Sequence, residues 1–285
     1  MYRVNVQVVN LKSNQSCCNK KLKKDPYQES QLLYNEVVKV VDLQGDWALV
    51  EAVEQKKRQP TGEFKGYQGW LPKIGLVENK NLISNKVFIT SHWAEIHRNN
   101  RVSLMVSFGT SLELKKKEGD KVHVLLADDT EGWTSQMNVK CSSIIDDSEK
   151  FLGFPYLWGG RSAFSKSFQD CLTSVDCSGF TNLLYRVRGI NIPRNANDQY
   201  AFCQKITAKQ LQPGDLVFSS PVKDPEKIDH VMLYIGGDKI IEARMSSGDV
   251  SKDTLSNRFG KSVKELNDQD ATSGGFLYYG AIPSI

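Results

Sequence analysis

A chain of 285 residues, 40% hydrophobic and 25% charged, holds enough apolar material for two or three packed domains. Its net charge of +4 is too small to argue for a nucleic-acid partner. No run approaches the roughly 18 consecutive apolar residues of a membrane span.

In chain order, Met1 to Val9 alternates apolar and polar residues, which is a strand pattern. It lacks the apolar run and small-residue cleavage site of an export signal, so a cytoplasmic location is expected. The lysines at 20, 21, 23 and 24, and again at 115, 116 and 117, read as solvated surface charge. Val37 to Val41 is an apolar β-branched strand, Gly45 and Asp46 turn it, and Trp47 to Val53 resumes it. A polar loop is expected from Gln55 to Lys65, before Gly66-Tyr67-Gln68-Gly69-Trp70-Leu71 closes the unit. A weaker copy follows, with strands at Val87 to Thr90, Gly109 to Leu114 and Val122 to Leu126, closed by Glu131-Gly132-Trp133. Two such units of roughly 60–70 residues suggest tandem small β modules, the alternative being one larger all-β domain.

The pattern changes near Asp146. Phe180, Leu183, Leu184 and Val187 recur at helical spacing from Ser178 onward, and Gly189 stops that helix. Pro193 to Tyr200 opens a second candidate helix. Strands then follow at Leu216 to Ser219, Val231 to Ile235, Lys239 to Ala243 and Phe276 to Ala281, with Gly236-Gly237 as a hairpin turn. Helices packed on an antiparallel sheet make an α+β layout.

Six cysteines, at 17, 18, 141, 171, 177 and 203, form no CxxC pair, and none of the four histidines is spaced near two of them. Neither zinc nor a disulfide framework is expected. Cys177 differs from the rest in its setting, Asp176-Cys177-Ser178-Gly179-Phe180, just ahead of a helix. There the free backbone N–H groups favour a thiolate and can also bind the oxyanion of a tetrahedral intermediate. Gly179 permits a close approach of backbone or substrate. His230 starts the apolar run Val231 to Ile235, where a rigid strand can hold a general base. Glu242, polar within Ile240-Ile241-Glu242-Ala243, sits on the neighbouring strand, where it can lie across from His230 and orient its ring. His92, His97 and His123 fall in the β half without a partner thiol and read as surface or packed side chains.

Several stretches together resemble the NlpC-type cysteine peptidases of bacterial cell-wall metabolism. They are Tyr156-Leu157-Trp158-Gly159-Gly160, Asp176 to Phe180, Pro193-Arg194, Leu211 to Phe218, Asp229 to Gly236 and Ile240 to Ala243. The resemblance covers about residues 148–285 and implies a papain-like fold. The Gly-Asp-Trp and Tyr-x-Gly-Trp stretches of the first half resemble bacterial SH3-like domains. The implied architecture is an SH3-like β-barrel at 1–80, a second at 81–146, and a papain-like peptidase domain at 147–285.

This arrangement is similar to γ-D-glutamyl-L-diamino acid endopeptidases, which act on peptidoglycan stem peptides without a metal or organic cofactor. In those enzymes the SH3-like domain helps restrict the substrate to a free N-terminal L-Ala. The resemblance assigns Cys177 as nucleophile and His230 as base. It also assigns Tyr156, Asp176, Ser178, Arg194 and Asn195 to substrate binding, with Tyr156 near the oxyanion and Asp176 holding an amine.

The chain departs from the pattern in three places. Glu242 stands where a second histidine is common, Asn195 and Ala196 replace an acidic residue and a serine, and extra sequence runs from Arg161 to Val175. The expected function is hydrolysis of the γ-D-glutamyl–diaminopimelate bond in murein peptide recycling. Two alternatives are an amidase or acyltransferase on another acyl group, and a non-catalytic cell-wall binding protein.

Overall fold

Burial along the strand Trp47–Arg58 alternates, with Ala48, Val50 and Ala52 inward, and this period of two sets the register of the first sheet. A computed structural model describes residues 1–16, 25–79, 84–99, 101–165, 172–267 and 271–283. Cys17, Cys18, Cys171 and the lysines at 20, 21, 23 and 24 lie outside the described residues.

Seven antiparallel strands between Tyr2 and Glu78 form the first sheet around Val4, Leu11, Leu32, Val38, Val50 and Leu71. Six more between Lys86 and Ser135 form a second sheet around Ile89, Ile96, Val106, Leu112, Val122 and Val124. The expected loop from Gln55 to Lys65 is corrected: strand Trp47–Arg58 pairs with Phe64–Pro72, so only residues 59–63 form the turn. Gln55 is fully buried because its side chain accepts from Ser30 Oγ and donates to Gln31 O and Glu36 Oε2. A register shift between Ala52 and Lys56 carries the strand on past its apolar part. The hairpin Trp93–Arg98/Arg101–Ser107 of the second sheet had no counterpart in the sequence pattern.

The C-terminal part is built on an antiparallel sheet in the order Gln204–Ile206, Gly275–Ala281, Leu216–Ser220, His230–Gly236, Lys239–Arg244, Asp249–Thr254. Among the described residues the α-helices are α1 (Ile144–Glu149), α2 (Cys177–Arg186), α3 (Ala196–Phe202) and α4 (Leu255–Phe259). Helix α2 packs Phe180, Leu183 and Leu184 against Phe218, Val231, Leu233 and Ile241. Helix α4 covers the opposite face, with Leu255 and Phe259 against Met232, Tyr234 and Ile240.

The turn between His230–Gly236 and Lys239–Arg244 is Gly237-Asp238, one residue later than expected. Both have positive φ, 58° and 76°, the pairing a twisted two-residue hairpin favours. Helix α3 begins at Ala196, not Pro193, because Asn195 is still extended and Arg194 is drawn into the interior.

Three buried arginines join the C-terminal part to the two β units. Arg161 donates to Glu36 Oε1 at 2.6 Å, and Arg186 to Glu54 Oε2 at 2.8 Å and to Gly109 O at 2.8 Å. Arg194 Nε donates to Ser30 Oγ at 2.8 Å. Within Arg161 to Val175, the strand Arg161–Ser165 pairs antiparallel with Thr173–Val175. It is wedged against both units: the Arg161 N–H donates to Gln31 Oε1, the Ala163 N–H to Ser107 Oγ, and Trp93 Nε1 to Phe164 O.

Candidate active site

Cys177 is the first residue of α2, and Asp176 is its N-cap. The Gly179 N–H donates to Asp176 Oδ1 at 2.6 Å and the Phe180 N–H to Asp176 O at 2.9 Å. The amides of Cys177 and Ser178 are therefore the ones left to face an anion beside the sulfur. Gly179 is required by packing: a Cβ there would lie 2.1 Å from Gly160 O. That contact seats the Tyr156 to Gly160 segment on the start of the helix. Tyr156 stands beside Cys177 and Asp176, and burial, then their charges, push its hydroxyl well above the ordinary value.

His230 begins the strand His230–Gly236, and its Nε2 lies 2.5 Å from Glu242 Oε2. Its ring also faces the Cys177 side chain. Burial disfavours the imidazolium, but the bonds to Cys177 and Glu242 outweigh it and raise His230 to about 10. Glu242 is fully buried. Burial opposes its charge, yet His230, Arg258 and Arg244 hold it below the usual carboxylate range.

The pairing Leu233↔Ile241 makes Glu242 diagonal to His230 rather than opposite it. By alternation both belong with Met232 and Ile240 on the face that α4 covers, while Cys177 starts the helix on the other face. The imidazole at the strand's first residue bridges the two. The row Cys177, His230, Glu242 has the parts of an activated thiol nucleophile: sulfur, base and orienting carboxylate.

The other expected site residues divide. Both oxygens of Asp176 are occupied within the protein: Arg194 grips them at 3.0 and 2.8 Å, and the Gly159 and Gly179 N–H groups donate to them. The expectation that Asp176 holds a ligand amine is corrected accordingly. Ser178 Oγ accepts from Arg194 Nη1 at 2.9 Å, and Arg194 is 1% exposed, so both are turned inward to support α2. Asn195 is half-buried and reaches Asp198 and the Tyr67 hydroxyl.

Two residues of the first β unit enter here that the sequence did not suggest. The Tyr67 hydroxyl donates to Glu29 Oε2 at 2.6 Å, beside Asn195 and Arg194. Tyr67 lies inside the Gly66 to Leu71 stretch, which was read only as closing the first β unit and as part of its SH3-like resemblance; Glu29, a lone carboxylate in the mostly buried strand Gln28–Leu33, was the available signal. Among the other thiols, Cys203 is buried, which pushes it up to about 12, and Cys141 is exposed. His92 packs against Phe151 and Phe154, and His97 stacks on Trp133 at 4.2 Å, so both are accounted for by packing.

Residues 153–265 match the model of the NlpC/P60 family. Over 234 residues the chain is 31% identical to a γ-D-glutamyl-L-lysine dipeptidyl-peptidase of Bacillus cereus, covering 75% of this chain and 67% of that protein. A Bacillus subtilis protein of the same name is 32% identical over 224 residues, covering 75% and 72%. A crystal structure of an NlpC/P60 family protein from Bacillus cereus has the same fold, with a TM-score of 0.79 across 99% of both chains at 23% identity. The thiol of Cys177 facing an oriented imidazole, on a chain related along three quarters of its length to these peptidases, makes this protein a cysteine peptidase that belongs to the NlpC/P60 family.

Proposed function

We propose that the protein hydrolyses the γ-D-glutamyl–diamino acid bond of peptidoglycan stem peptides, in cytoplasmic recycling of small murein peptides. The observation that carries this reading is the His230 ring held between Cys177 and Glu242. The names of the Bacillus relatives support the bond type. In this reading residues 1–80 and 81–146 are SH3-like modules, and 147–285 is the papain-like catalytic domain.

The Cys177 thiolate attacks the γ-D-glutamyl carbonyl carbon, forming a C–S bond. The oxyanion is received by the Cys177 and Ser178 N–H groups, with the Tyr156 hydroxyl alongside. As the C–N bond breaks, His230 passes its proton to the departing amine of the diamino acid. Water then attacks the thioester, His230 takes its proton, and the thiolate is released.

Glu29 supplies the amine recognition that Asp176 does not. One of its oxygens is held by Tyr67, which leaves the other for the ammonium of an N-terminal L-Ala. The test is to incubate the protein with L-Ala-γ-D-Glu-meso-diaminopimelate, its L-lysine counterpart and their N-acetylated forms, following L-Ala-D-Glu by mass spectrometry. Free-amine peptides are cleaved and acetylated ones spared, and E29Q raises KM about ten-fold, the loss of one charged hydrogen bond. Equal cleavage of acetylated peptides would remove the amine-gated recycling role.

A further inference from the structure

Glu242 poses a problem that a neutral orienting group would not. It is a carboxylate with no exposure, and its partner His230 is cationic for only part of the reaction. Once His230 gives its proton to the leaving amine, Glu242 is left as a buried charge facing a neutral ring, an arrangement that is costly without another cation. Such a cation is present on the far side of the carboxylate. Oε2 is turned to His230, while Oε1 accepts from Arg258 Nε at 3.3 Å and lies 3.7 Å from Arg244 Nη1.

Arg258 is delivered by α4, a short helix fixed at both ends. Thr254 caps its start by accepting from the Asn257 N–H, and Gly260 closes it in the left-handed region. Asp238, in the hairpin turn that joins the His230 and Glu242 strands, accepts from Ser256 N–H and Oγ at 3.2 and 2.5 Å, tying the same helix to that turn. The Arg258 guanidinium also lies over the Phe259 ring at 4.8 Å. The charged groups facing Glu242 are thus His230 across the hairpin, Arg244 from its own strand and Arg258 from α4; the group facing His230 from α2 is Cys177.

We propose that Arg258, seconded by Arg244, is a positioning residue that extends the row Cys177–His230–Glu242 to a fourth, cationic member. It holds Glu242 as a carboxylate with one oxygen aimed at His230, and it offsets enough of that charge for His230 to release its proton to the leaving group. The inference rests on the reading of that row as catalytic. Arg258 touches no substrate, so its loss lowers kcat and leaves KM in place.

The sign of the pH effect follows from removing a positive charge. In R258Q both Glu242 and His230 hold protons more tightly, so both limbs of the Cys177 reactivity profile move to higher pH, by about 1 unit. The experiment is iodoacetamide alkylation from pH 4 to 11, scored at Cys177 by peptide mass so that Cys141 does not interfere. It requires no peptide substrate. The expected result is the upward shift in R258Q, a smaller one in R244Q and wild-type limbs in R258K. In the E242Q background, R258Q should move nothing further. If R258Q lacks a cooperative melt, the upward shift in R244Q carries the same readout, and wild-type limbs in a folded R244Q overturn the role. Wild-type limbs in a folded R258Q would overturn the positioning role alone. A wild-type Cys177 without any pH limb would instead overturn the catalytic row on which the role depends.

Discussion

His230 carries the clearest electrostatic consequence of any single residue. Its value is raised from 6.5 to about 10, so it binds a proton in the folded chain over a range where the unfolded chain has lost it. Its contribution to stability is therefore fully present below about 6.5 and is lost as pH rises through 10. Glu242 has the opposite sense: its lowered value contributes above the unfolded carboxylate range and is lost in acid. The melting temperature of the wild-type protein should fall by several degrees between pH 7 and 10, and that of H230Q should follow a shallower slope. Parallel slopes would remove the imidazolium from the resting site. The three members of this row were legible in the sequence because a Cys ahead of a helix, and a His and a Glu beside apolar runs, stand out from their surroundings. Asp176, Ser178 and Arg194 were legible only as a motif; whether such residues face substrate or protein depends on what lies across from them.

Helix α2 is the element on which the site depends, and its first turn is built from charges that never leave the interior. Asp176 caps it, Arg194 grips Asp176 with both terminal nitrogens, and Ser30 of the first β unit holds the Arg194 Nε. Substituting Arg194 by methionine keeps the apolar stem but strands a buried carboxylate, which costs about 3–5 kcal/mol. Urea unfolding of R194M should show that loss, together with a fall in turnover as the cap loosens; a loss below about 1 kcal/mol would mean that Asp176 is satisfied without its arginine. This dependence was not legible in the sequence, since Arg194 and Ser30 are 164 residues apart. The long hairpin through Gln55 was missed for a related reason. Gln55, Lys56 and Lys57 have loop composition, but Gln55 finds three buried partners, and hydrogen bonding rather than apolarity keeps that strand inside.

At the scale of the whole molecule, the catalytic part is completed by the chain that precedes it. Arg161 reaches Glu36, Arg186 reaches Glu54 and Gly109, and the strand Arg161–Ser165 bonds to Gln31 of one β unit and Ser107 of the other. The order of elements and the α+β character were legible from hydrophobic periodicity. These long-range ion pairs were not, because local charge patterns do not say which partner lies more than a hundred residues away. The same apposition places Glu29 and Tyr67 beside Asn195. The most direct test of the account is therefore made on the full chain. L-Ala-γ-D-Glu-meso-diaminopimelate is incubated with wild-type protein and with C177A, and release of the dipeptide and free diaminopimelate is followed by mass spectrometry. The account predicts both products with the wild type and neither with C177A, whose melting temperature stays close to wild type. Equal release by a folded C177A, or no release by a wild-type protein whose Cys177 alkylates readily, would contradict it.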